Sequence, residues 1–280
     1  MSFHTFDYHT HTTASDGALA PHALLEVAME AGVQRLALTD HDTVDGYLTL
    51  ASSELPEGVE LIAGVEWTCL HIKQVVHVVG LGFDAHHPMI SAHVELLVRL
   101  REERAERIAV KLEKATGLTG LLAEAMALSG GQVGRPHFAQ VLVDRGLVSD
   151  AGQAFKRYLG VGKVGDVKVE WPSLETVITL IQATGGVAVL AHPTKYRLTL
   201  TKVRALVAAF AELGGDAIEI SYPGVTLDQQ RSLGFLVDKY DLLVSAGSDF
   251  HTPANQWSAV GSFPVIPDDM PTIENGLINT

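Results

Sequence analysis

Short apolar runs rich in β-branched residues, separated by helix-like stretches that stop at glycine, restrict the fold of this chain more than any other feature. The runs are Phe3–Tyr8, Arg35–Thr39, Leu61–Val65, Val75–Leu81, Val187–Ala191, Ala217–Ser221 and Leu242–Ala246. Their length and turn-like flanks make each a strand. Pro21–Ala31 opens on a proline suited to a first helical turn and closes at Gly32. Leu174–Thr184 stops at Gly185–Gly186, and Lys202–Leu213 at Gly214–Gly215. Strand, helix, glycine, strand is the pattern of parallel βα units. Between His87 and Trp171 the rhythm lapses: Ile90–Ala115, Leu121–Ser129, Pro136–Arg145 and Ala151–Tyr158 read as helices with no strand among them. The expectation is an α/β fold built from residues 1–86 and 172–280, with residues 87–171 as an inserted helical subdomain. The mixed-sign charges from Arg99 to Lys114 read as a solvated helix face.

Composition narrows the class. A single cysteine, Cys69, excludes an intrachain disulfide and a cysteine-based zinc site. The first residues, MSFHTFDYHTHT, lack the basic flank and apolar stretch of a signal peptide, and no window approaches the roughly 20 apolar residues that span a bilayer. A cytoplasmic protein with no membrane contact and no obligatory protein partner is expected. A net charge of −13 argues against sequence-blind nucleic-acid binding and against duplex DNA, while leaving room for a basic pocket in an acidic shell. The thirteen histidines are the unusual count.

Their positions follow the strand ends. The first run leads into Asp7-Tyr8-His9-Thr10-His11 and Ser15-Asp16-Gly17, the second into Asp40-His41-Asp42, and the third into Glu66. The fourth carries His77, the fifth meets His192, and the seventh leads into Asp249-Phe250-His251. Only Ala217–Ser221 is left without an assigned ligand. Two histidines two apart on an extended segment point the same way. In a parallel barrel the strand ends meet on one face, where sites are built. Each motif alone has a plainer explanation: paired surface histidines, turn chemistry, a packed imidazole. Their recurrence at the same place on successive strands points instead to metal. His9, His11, Asp16, His41, Glu66, His77, His192, Asp249 and His251 are too many for one tetrahedral ion and suit two or three, with Glu66 bridging. Imidazole mixed with carboxylate favours Zn, Mn or Fe over Ca or Mg. His4, His22, His71, His86, His87 and His93 fall to surface or packing roles.

Taken together, Asp7–His11, Ser15-Asp16-Gly17, Thr39–Asp42, Gly64-Val65-Glu66, His77–Gly80, Ala191-His192-Pro193 and Ser248–His251 resemble the PHP (polymerase and histidinol phosphatase) family. The resemblance implies a distorted (β/α)7 barrel with a trinuclear metal centre that hydrolyses phosphoesters. It implies one ion on His9, His11, Glu66 and Asp249, a second on Glu66, His77 and His192, and a third on Asp16, His41 and His251. Three divalent ions per chain are expected, Mn first, with Zn or Fe as alternatives. Hydroxide bridging the pair that shares Glu66 is the expected nucleophile. Asp7, Asp40 and Asp42 are expected to orient ligand histidines.

Within the family, Gly134-Arg135-Pro136-His137-Phe138-Ala139 and Phe155–Leu159 followed by Gly162-Lys163 resemble the single-domain group of 3′,5′-nucleotide bisphosphate phosphatases and RNase AM enzymes. That resemblance implies removal of the 3′-phosphate from nucleoside 3′,5′-bisphosphates, or 5′-to-3′ trimming of short 5′-phosphorylated RNA. His137 is the candidate for leaving-group protonation or phosphate contact. Arg135, Lys163, Lys195 and Arg197 are candidate cations for a second phosphate. Two departures bear on substrate. His192-Pro193-Thr194-Lys195-Tyr196 stands where the group has His-Pro-Gly-Arg-Tyr, and Asp166 stands where it has an aromatic residue. Lysine keeps the charge but loses the forked grip of arginine. The rival readings are a histidinol-phosphatase-like monoesterase, a metal-binding module without turnover, and an amidohydrolase on a similar barrel.

Overall fold

The computed structural model describes residues 2–129, 132–196, 198–255 and 257–277. Two parts of the chain form strands in parallel. β2 (Phe6–Asp7) pairs with β3 (Arg35–Ala37), and β3 with β4 (Glu60–Ile62). In the second part, β7 (Val187–Leu190), β8 (Ala217–Ser221) and β9 (Leu243–Ala246) lie parallel in that order. Between these parts stands an antiparallel hairpin, β5 (Gly64–His71) and β6 (Gln74–Leu81), whose second strand also pairs antiparallel with β7. β1 (Ser2–Phe3) pairs with β10 (Ser262–Phe263).

The fold is therefore mixed α/β, and the expected (β/α)7 barrel is not seen as a closed sheet. Pairing among the described residues falls into sheets of two, three and five strands. Single bridges, Thr10 with Phe250 and His41 with Glu66, span the gaps. The local reason is visible in the backbone. Asp42, His192 and Asp249 adopt positive φ of 57°, 28° and 49°, so the chain leaves the sheet where the candidate ligands stand. Such conformations are costly for non-glycine residues and are held only where surroundings over-determine them.

The helices follow the sequence pattern closely. α1 (Pro21–Glu30) buries Leu24, Leu25 and Ala28, and α2 (Asp45–Ala51), which the pattern did not reveal, buries Leu50 beside them. α3 (Pro88–Thr116) starts at a proline and ends at Gly117, whose φ of 75° suits a helix stop. At 29 residues and 1.5 Å per residue it is about 43 Å long. Its first half buries Ile90 and Leu97 against the main sheet, and its second half buries Ala105, Ile108, Ala109 and Leu112 in a separate cluster. That second cluster is completed by α4 (Leu121–Leu128), α5 (Arg135–Asp144), α6 (Ala151–Ala154) and a π-helical turn at Phe155–Leu159. α7 (Leu174–Ala183), capped by the Ser173 hydroxyl, α8 (Leu200–Glu212) and α9 (Leu227–Tyr240) cover the five-stranded sheet. Among the described residues no helix is long and apolar enough to cross a membrane.

One sequence expectation fails on α3. The charged stretch is not uniformly solvated: Arg101 pairs with buried Asp42, and Arg104 lies largely buried against Trp171. A helix seated between two cores has too little exposed face for every charge on it.

Candidate metal centre

His9 and His11 leave β2 on an extended segment and bring their Nε2 atoms 3.1 Å apart. Glu66, near the start of β5, lies fully buried between them and the neighbouring strands. Its Oε1 is 2.8 Å from His77 Nδ1 and 2.9 Å from His192 Nε2. Its Oε2 is 3.0 Å from His41 Nδ1 and 3.4 Å from both His9 Nε2 and His11 Nε2. Asp249 Oδ1 is 3.3 Å from His11 Nε2 and 3.5 Å from His9 Nε2. Asp16 Oδ1 is 3.3 Å from His251 Nε2, and its Oδ2 is 3.9 Å from His41 Nε2. All nine sequence-derived candidates thus meet in one cup.

The ligand atoms form overlapping groups compact enough for an ion: His11, Asp16, His41 and His251; His9, His11 and Asp249; His9, Glu66 and His192; and His41, Glu66 and His77. Whether the residues suit divalent metal is decided by their unmet needs. Glu66 Oε2, Asp16 Oδ1 and the Nδ1 atoms of His11, His41 and His192 are buried without a hydrogen bond among the described residues. His9 donates from Nδ1 to Glu219 Oε1 at 2.7 Å, so its Nε2 presents a lone pair to His11 Nε2. Lone pairs and carboxylate oxygens aimed at one another in a buried space call for cations. The mixed imidazole–carboxylate donors fit a divalent transition metal.

Charge coupling within the cup is strong. Burial alone would raise the Glu66 carboxyl, but His41, His77 and His9 outweigh it and hold it well below the usual range. Burial likewise opposes, and His9, His11 and Lys195 overcome, for Asp249, which is also held well below it. Burial lowers His41 to about 3 despite Glu66 and Asp16. For His251 burial is outweighed by Asp16, and the ring rises to about 9.

The supporting contacts differ from expectation. Asp7, Asp40 and Asp42 were expected to orient histidine rings, and none does. Asp7 accepts from the backbone N–H groups of His9, Ser248 and Gly261. Asp40 accepts from Thr12 and Ser15 and shapes the loop that carries Asp16. Asp42 accepts from Thr68 N–H and Arg101. These acids fix backbone because short carboxylates beside a turn reach amides before rings. The orienting role belongs to Glu219 on β8, which holds the His9 ring and accepts the His192 N–H at 2.6 Å. Glu219 sits in the one apolar run left without an assignment. An acid inside an otherwise apolar, fully buried strand was the available signal. Tyr196 also escaped notice: its hydroxyl accepts from His77 N–H and donates to the Ala191 carbonyl.

The substrate candidates are placed less uniformly. Arg135 opens α5, donates to the Leu159 carbonyl and stacks on Phe155. His137 Nδ1 accepts from Gly134 N–H at 2.9 Å. Lys195 Nζ lies 2.5 Å from Asp249 Oδ2. Lys163 is exposed. Arg197 lies outside the described residues. Asp166 turns back on its own loop, accepting from Gly162 N–H and pairing with Lys168.

Buried imidazoles around a shared carboxylate, on a mixed α/β scaffold, form a donor set suited to divalent metal. The PHP domain model matches residues 7–171, and the chain belongs to that family. It is 44% identical over 256 residues to a 5′-3′ exoribonuclease of Haemophilus influenzae, covering 91% of this chain and 93% of the relative. It is 36% identical over 269 residues to a 3′,5′-nucleoside bisphosphate phosphatase of Chromobacterium violaceum, covering 95% and 93%. A solved structure from Chromobacterium violaceum, described as an amidohydrolase with bound sulfate and no metal, superposes with a TM-score of 0.90 at 34% identity, covering 99% of this chain and 96% of that one.

Proposed function

We propose that this protein is a PHP metal-dependent phosphoesterase that removes the 3′-phosphate of nucleoside 3′,5′-bisphosphates or shortens 5′-phosphorylated RNA from its 5′ end. The observation that carries the reading is Glu66: a fully buried carboxylate with five imidazoles on its two oxygens. Three divalent ions, with Mn the first choice, would be held by His9, His11, Asp16, His41, Glu66, His77, His192, Asp249 and His251. Bound there, such ions supply an acidified water, neutralise the phosphoryl oxygens and favour in-line displacement.

The chain's own residues do the rest. Glu219 fixes His9 with its Nε2 lone pair inward. Lys195 holds one oxygen of Asp249 and leaves the other to face His9 and His11. His137 accepts on Nδ1, so its neutral ring carries the proton on Nε2. Burial lowers its pKa, which keeps the ring neutral near pH 7. A neutral N–H is a good hydrogen-bond donor and a weak acid, so His137 serves phosphate contact better than proton delivery. Arg135 and Lys163 supply positive charge on residues 87–171, the helical insertion, to the phosphate that is retained. In the net reaction water adds to phosphorus, the ester P–O bond breaks, and its proton goes to the departing ribose oxygen.

The deciding experiment compares phosphate release by Mn-loaded protein from adenosine 3′,5′-bisphosphate, adenosine 5′-monophosphate and histidinol phosphate. Release from the first alone is expected. Preference for histidinol phosphate would move the protein to the monoesterase reading, and cleavage of amide substrates alone would move it to the amidohydrolase one.

A further inference from the structure

The three tryptophans of the chain are placed very differently. Trp67 is fully buried and Trp171 is 7% exposed, but Trp257 is 76% exposed. Its surroundings are not a loose surface segment, because Ser258 and Val260 beside it are buried. Trp257 lies on the loop that leaves the candidate ligand His251. The Ser258 hydroxyl brings the far end of that loop back, 2.6 Å from the Ser248 carbonyl and 3.2 Å from the Asp249 carbonyl. Between these anchors, Asn255 N–H donates to the Thr252 carbonyl, Ser258 N–H to the Asn255 carbonyl and Trp257 N–H to Asn255 Oδ1. The indole is therefore carried on a bonded turn that starts at His251 and ends against the backbone of Asp249. A single exposed apolar side chain is ordinary on a protein surface. A tryptophan one residue from a contact with a metal-site backbone is better placed to meet a substrate.

The loop's chemistry narrows what that substrate presents. From Thr252 to Pro267 the sequence carries no charged residue, although the whole chain has a net charge of −13. A neutral segment beside the cup does not repel an anionic strand, and it supplies no cation to grip a phosphate. Affinity there has to come from the flat faces of bases, which stack on aromatic side chains with little regard to sequence. Among the described residues, the hydrogen bonds of Thr252–Ser258 run only to the loop itself and to Ser248 and Asp249. The helical insertion, which carries Arg135, His137 and Lys163, is tied to the cup separately, through Arg101 and Asp42. With the 5′ nucleotide assigned to the insertion, the loop is left for the nucleotide beyond the cut.

We propose that Trp257 stacks on the base that follows the scissile phosphate of a single-stranded RNA. This rests on the phosphoesterase reading above and names a residue that favours oligonucleotides over mononucleotides. A nucleoside 3′,5′-bisphosphate has no base beyond its 3′-phosphate and gains nothing from the indole. A 5′-phosphorylated dinucleotide has one.

The test uses the Mn-loaded full chain as wild type, Trp257→Ala and Trp257→Phe. The substrates are 5′-phosphorylated diadenylate, the same dinucleotide without a base on its second ribose, and adenosine 3′,5′-bisphosphate. Trp257→Ala is expected to lower kcat/KM about tenfold on the diadenylate and less than about twofold on the other two. Trp257→Phe, which keeps a ring, is expected to recover most of that loss. A diadenylate with methylene in place of the bridging 3′-oxygen cannot be cleaved there. It is expected to quench the tryptophan emission of the wild type and not of Trp257→Phe, since Trp67 and Trp171 are buried. Equal losses on all three substrates, an unchanged diadenylate rate, or quenching that survives Trp257→Phe overturns the assignment. If the wild type cleaves none of the three while the analogue still quenches through Trp257, the stacking site stands and the phosphoesterase reading falls.

Discussion

Around Glu66, each carboxylate oxygen is met by imidazoles, and each orienting contact is a short hydrogen bond from a neighbouring strand. Around α3 the like charges of Arg101, Arg104 and Arg135 act on one another, and Arg104 Nε is buried without a hydrogen bond among the described residues. The cup keeps buried donor atoms without a hydrogen bond among the described residues and asks for cations. At the arginines the surplus is positive charge. One region is short of cations and the other carries them in excess, and that is the electrostatic difference between the two.

Four measurements break or sharpen that contrast. Glu66→Gln keeps the shape and removes the shared charge, and should lower phosphate release by at least about 10³-fold with loss of bound metal. Retention of both would remove Glu66 from the centre. Arg101→Met breaks the buried pair with Asp42, where the guanidinium side chain is 14% exposed and the acid fully buried. A loss of about 3 kcal/mol in urea unfolding is expected, since an unpaired buried carboxylate remains. A loss near zero would mean that the pair does not tie the insertion to the cup. Glu219→Gln should weaken metal affinity about 10- to 100-fold by freeing the His9 ring, read by calorimetric metal titration. Lys195→Met should change KM by no more than about fivefold, because its ammonium is partly exposed beside Asp249. A larger effect than Glu219→Gln would reverse the ranking of the two supports.

The cup was legible in sequence because metal chemistry admits few residue types and strand ends place them at recognisable spots. His9-Thr10-His11 and Asp249-Phe250-His251 became readable as ligands because the same residue types recur at successive strand ends. Glu219 was missed because an acid within Ala217–Ser221 interrupts an apolar run, while its partner ring lies 210 residues away. The β5–β6 hairpin was hidden for a related reason. The run Leu61–Val65 straddles two strands, β4 and β5, and the remainder of β5 mixes polar with apolar residues. Arg101 and Arg104 were assigned to a solvated face because periodicity shows which face of a helix is apolar, not what a second core will cover. The barrel expected from family resemblance presupposed continuous pairing, and the positive-φ turns at Asp42, His192 and Asp249 interrupt it at the site itself.

The central claim is that these nine side chains hold more than one ion around a shared carboxylate. Metal content per chain, measured by mass spectrometry after stripping, Mn reconstitution and removal of free metal, tests it most directly. Three ions per chain are predicted, falling by at least one in Glu66→Gln. A wild-type protein that retains a single ion or none would contradict it.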